Sequence, residues 1–91
     1  MKEIWRFPLK NNDTVLLMPK DAEILCLKLK DDVPCIWAVF TKGDEDEPVS
    51  RRFVIKGTGH PIDEPNLSYI GTYMQSSSVG TLVCHVFEMI D

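Results

Sequence analysis

Apolar and polar residues alternate with period two through most of this chain, the spacing of strands whose side chains point to opposite faces in turn. From Glu3 to Pro8, Trp5 and Phe7 oppose Ile4, Arg6 and Pro8, which predicts a short first strand. Thr14 to Met18, closed by Pro19, predicts a second, and Asn11-Asn12-Asp13 separates the two. Asn and Asp bond to nearby backbone and tolerate left-handed φ, so that triplet is a turn and the two strands read as an opening hairpin. Glu23 to Lys30 sets Leu25, Leu27 and Leu29 against Ile24, Cys26, Lys28 and Lys30. That alternation outweighs the helix propensity of Leu and Lys. Pro34 to Thr41 is apolar on both faces, with Ile36, Ala38 and Phe40 opposed to Cys35, Trp37 and Val39. A strand covered on both sides has this composition.

The pattern resumes at Arg51 and runs to Lys56, with Phe53 and Ile55 on one face and Arg52, Val54 and Lys56 on the other. It cannot continue through Gly57-Thr58-Gly59-His60-Pro61-Ile62. Two glycines permit a sharp turn, and Pro61 pushes His60 toward an extended backbone. Ile62 to Leu67 carries Pro65 and two acids and reads as irregular. Ser68 to Met74 is a strand interrupted at Gly71, the mark of a bulge. Gly80 to Met89 is the last strand, apolar on both faces, and belongs in the middle of a sheet or at a subunit interface. Six or seven short strands without a helix predict an all-β domain over residues 1–91, a compact antiparallel barrel or sandwich.

Composition narrows the partners. A net charge of −4 and a pI near 5.0 lack the basic footprint of nucleic-acid binding and oppose an anionic membrane surface. The chain starts without an apolar stretch of signal-peptide length, and a cytoplasmic protein is expected. Cys26, Cys35 and Cys84 are odd in number and share no CxxC spacing, so they are expected as free thiols without a structural metal. A domain this small has a thin core, and a homo-oligomer is the natural supplement.

No reaction is spelled out. Cys84 and His85 are adjacent and so point to opposite faces of a strand, which excludes them as a nucleophile–base pair. Gly57-Thr58-Gly59 lacks the longer glycine pattern and lysine of a phosphate loop. The reading is therefore non-enzymatic, with no cofactor. His85, inside an apolar strand, is expected to be a satisfied core or interface side chain. The loop itself is the candidate site for a small anionic or nucleotide ligand. Gly57, Thr58 and Gly59 would supply backbone donors, His60 and Arg52 charge, with Arg51 and Lys56 adding to it, and Tyr69 a stacking surface. His60 has two readings, a contact for ligand or a brace for its own loop. Lys42 to Pro48 is an acidic connection whose charge keeps it solvated.

Pro19-Lys20, Ala22 to Leu25, Pro34 to Ala38, Gly57-Thr58-Gly59-His60-Pro61-Ile62, Tyr69 to Thr72 and His85-Val86-Phe87-Glu88 together resemble a family of small proteins common in bacteriophage and prophage genomes. The likeness spans nearly the whole chain, and its clearest marks are GTGHPI and HVFE; Gln75 to Val79 and the long acidic loop depart from it. It implies an accessory protein of the bacterial host cytoplasm and supplies no catalytic residues. In that setting the anionic ligand would be a signal withdrawn from host defence. The alternative is a protein–protein inhibitor that presents Asp44, Glu45, Asp46, Glu47, Asp63 and Glu64 to a basic enzyme.

Overall fold

Each alternating stretch becomes a strand. In the computed structural model, which describes residues 1–90, they are β1 (Lys2–Pro8), β2 (Asp13–Met18), β3 (Glu23–Lys30), β4 (Val33–Thr41), β5 (Val49–Gly57), β6 (Leu67–Ser77) and β7 (Gly80–Met89). One turn of 3-10 helix, Asp44–Asp46, interrupts the acidic connection. All pairings are antiparallel and form two sheets, ordered β1-β4-β3 and β2-β5-β7-β6. Neither sheet closes on itself, so the architecture is the sandwich and not the barrel. β4 and β7 lie inside their sheets, where two apolar faces are needed.

Between the sheets, Phe7, Ile36, Ala38 and Phe40 meet Met18, Phe53 and Val86, with Leu9 and Ala22 added from the connections. Each large side chain removed from water contributes about 1.5–3 kcal/mol. Leu9 also explains why the expected opening hairpin does not form. It is 2% exposed and its N–H donates to Pro34 O over 2.8 Å. The chain past β1 is thus drawn between the sheets, and β2 emerges in the opposite one, where it pairs with β5. Burying Leu9 wins over a local turn.

Two bulges correct the simple alternation. One falls between Ile24 and Cys26, so Ile24 shares the core face with Leu27 while Leu25 is turned out. The other lies between Tyr69 and Gly71, where the interruption was expected. A Cβ on Gly71 would stand 3.2 Å from Leu27 Cδ2, so glycine lets β6 close against β3.

The far end of the core is clamped by charge. Arg51 donates from Nε and Nη2 to the two Glu88 carboxylate oxygens at 2.6 and 2.8 Å, and from Nη1 to Ala22 O at 2.6 Å. This fork on a carboxylate is the strong form of an ion pair, and Glu88 holds the Arg51 pKa above its ordinary value.

Candidate ligand-binding site

The site grows from the end of β5. His60 N–H donates to Gly57 O over 3.1 Å, which closes a four-residue turn with Gly59 at φ 91°. That positive φ is open to glycine at no steric cost. Gly57 is small for another reason: a Cβ there would lie 2.9 Å from two atoms of the His60 ring. The imidazole therefore folds back over the strand end. The segment that follows is tied down by Lys56 Nζ to Glu64 at 2.8 Å, and the hydrogen bond from Lys56 holds the Glu64 carboxyl below its ordinary value.

Beside the His60 ring the end of the four-stranded sheet holds a cavity of about 460 Å³, lined from β5, β6 and β7 and by Asn12. It is lined by the apolar side chains of Ile55, Leu82 and Cys84, by Tyr73, and by the polar Asn12, Thr58 and Gln75. A second hollow of about 350 Å³ shares Asn12, Ile55, Tyr73 and Gln75 and extends to Lys10. The two make one mouth at the end of the sandwich. Gln75 Nε2 donates to Asp32 O and fixes the rim. Burial, and then the neighbouring Cys84 thiol, push the Tyr73 pKa up to about 12, so its phenol stays a neutral donor. Among the described residues, the His60 ring and the Lys10 ammonium make no hydrogen bond or ion pair.

The residues expected from the sequence divide. Gly57, Thr58, Gly59 and His60 are together at the mouth. Their amides are less open than the sequence suggested, because Thr58 N–H already donates to Val83 O at 3.1 Å and His60 N–H to Gly57 O. Arg52 lies on the outer face of the sheet, bonded to Asp13 through Nε at 2.8 Å and Nη2 at 2.5 Å. Arg51 and Lys56 are likewise paired, with Glu88 and Glu64. None of the three cations serves the loop as expected. Tyr69 is also outside, its ring edge-on to Phe87 at 5.7 Å and its hydroxyl 2.5 Å from Thr72 Oγ1.

His85 is satisfied, as expected, though on the outer face and only half-buried. Its Nε2 lies 2.8 Å from Thr58 Oγ1 and its Nδ1 2.9 Å from Thr72 Oγ1. Sequence reasoning missed Lys10, Asn12, Tyr73 and Gln75. Tyr73 was within reach: four residues apart, Tyr69 and Tyr73 would share a face in a regular strand, but a bulge reverses the second. Tyr69 accordingly pairs with Phe87 outside and Tyr73 with Cys84 inside. Of the acidic residues, Glu45, Glu47 and Glu64 are in ion pairs with Lys42, Lys20 and Lys56. Among the described residues there is no cluster of three His, Cys, Asp or Glu side chains fit to hold a metal, and no helix is long and apolar enough to cross a membrane.

Two open antiparallel sheets around one core, with a polar mouth at one end, make this a small β-sandwich protein. The chain belongs to the family described as domain of unknown function (DUF7352), whose model matches residues 1–91. Comparison with curated proteins and with solved structures finds no match.

Proposed function

We propose that the protein is a non-enzymatic binding module that takes a small anion with a flat apolar part, of nucleotide size, into the mouth of the sandwich. The observation that carries this reading is the contrast in side-chain engagement. Arg51, Arg52 and Lys56 are neutralised by carboxylates, whereas His60 and Lys10 face a concavity with no partner among the described residues. The volume falls within the range of small-ligand sites, which combine apolar walls with a few placed polar groups. A ring would lie against Ile55, Leu82 and the Tyr73 ring. Its anionic end would meet Lys10 and His60, and Gln75 and Tyr73 Oη would set its orientation.

Withdrawing such an anion from solution, as an oligomeric accessory protein in a bacterial cytoplasm, belongs to the same proposal. Native mass spectrometry of the protein taken gently from the cells that make it should show a retained mass of a few hundred daltons. AMP serves as the probe in vitro. His60→Ala and Lys10→Ala should each weaken AMP binding about tenfold to a hundredfold, the effect of losing one charge-assisted bond. AMP affinity unchanged from the wild type in both variants would refute the assignment.

A further inference from the structure

We propose that two copies of this chain pair through β2, antiparallel about a two-fold axis at Leu16, so that their four-stranded sheets become one continuous sheet. The inference is independent of what the mouth binds. The two sheets leave four edge strands, β1, β3, β2 and β6. Exposed edges invite pairing with other chains, and proteins blunt them with charge, proline, bulges or cover. β3 and β6 are both bulged and pack on each other. β1 carries Lys2, Glu3 and Arg6 and ends in Pro8.

β2, Asp13-Thr14-Val15-Leu16-Leu17-Met18, has none of these devices. Its register with β5 is unbroken, and its one charge, Asp13, is bound to Arg52. Val15 and Leu17 are 62% and 67% exposed on the outer face. Ile55 N–H donates to Asn12 O at the head of the β2–β5 ladder. In an antiparallel pair the bonded positions alternate, so the backbone groups of Asp13, Val15 and Leu17 point away from β5. The same residues thus offer an open row of N–H and C=O groups and a row of aliphatic side chains.

A second copy fits this edge because the strand complements itself. Residues opposite one another in a ladder share a face, so outward positions must meet outward ones. With Leu16 on the axis, Val15 lies opposite the partner's Leu17, and Thr14 opposite the partner's Met18. Asp13 then falls beyond the apolar row. A shift of two residues would place Val15 opposite the partner's Val15 and set Asp13 against the partner's Leu17, charge on aliphatic. The first register is the better.

Sedimentation velocity across the micromolar range should show a dimer. Leu17→Lys places a charge in the paired row and should raise the dissociation constant at least about a hundredfold. Its thermal melt measured as a monomer should stay two-state, since Leu17 is already exposed. Direct disulfide formation gives the register. Under mild oxidation an equal mixture of Val15→Cys and Leu17→Cys proteins should form a disulfide-linked dimer, because directly opposite positions are within disulfide reach, while Val15→Cys alone, whose diagonal spacing of about 7–8 Å is too long, and the wild-type chain with its own cysteines should not. A monomeric wild type overturns the proposal, and so does a Leu17→Lys protein that remains a dimer. A disulfide-linked dimer of Val15→Cys alone overturns the register. A wild type that is monomeric alone but binds an extended peptide of another protein on β2 also overturns it.

Discussion

The two ends of the sandwich use similar polar residues to opposite effect. At one end Arg51 spends its donors on Glu88 and Ala22 O, and the charge is consumed in joining β5, β7 and the β2–β3 connection. At the other end β5 runs past the core into Gly57, and His60, Lys10, Gln75 and Tyr73 gather around a hollow that the protein does not fill. A clamp needs mutual satisfaction. A binding mouth needs groups left over. The difference shows why cationic residues near a glycine turn are a poor guide to a site until their partners are known.

The largest expected effect is at the clamped end. Arg51→Ala leaves Glu88 largely buried without its cation and should cost about 2–4 kcal/mol in urea unfolding. His60→Ala should cost less than about 1 kcal/mol, as surface changes usually do. Similar losses in the two variants would erase the contrast between the ends.

Alkaline pH sharpens it from the other side. The folded-state pKa of Tyr73 is raised from 10.0 to about 12, chiefly by burial, so folding favours the neutral phenol. Its contribution is fully present below about pH 10 and is lost as pH rises toward 12. Tyr73→Phe should remove that part of the alkaline decline in stability, and tyrosinate absorbance should lose its highest-pH step. An unchanged titration in Tyr73→Phe would show that the hydroxyl is not buried at the mouth.

Gly57→Ala is a smaller, local change. Its Cβ would displace the His60 ring, the far end of a side chain, and leave the ladder intact. AMP binding should fall about tenfold, with unfolding shifted by less than about 1 kcal/mol. The smallest effect should come from Glu64→Gln, which unties the returning segment from Lys56. Amide exchange in residues 58–66 should quicken in this variant at neutral pH. The wild type should match it only after acid has protonated Glu64, whose pKa Lys56 holds low.

The fold was written plainly in the chain, because period-two alternation is a local signal. The bounds of β3 and β7 and the interruption near Gly71 follow from it directly. What alternation could not carry is pairing across distance. The departure of β2 from β1 depends on Leu9 reaching the core, and the outward turn of Leu25 on a bulge fixed by packing against β6. The site was half legible for the same reason. Gly57 to His60 announce a turn within four residues, whereas Lys10, Tyr73 and Gln75 join it only once both sheets are in place. Arg52 and Tyr69 looked available because their partners, Asp13 and Thr72 with Phe87, are met in the folded sheet.

The central claim, that the mouth is the binding surface, is tested most directly by mapping amide chemical shifts of the isotope-labelled protein during titration with AMP, GMP and inorganic phosphate. Saturable shifts are expected at Lys10, Asn12, Ile55, Gly57 to His60, Tyr73 and Gln75, with Arg52 and Tyr69 unmoved. Shifts confined to the Arg52 and Tyr69 face, or none at millimolar concentrations of all three, would contradict it.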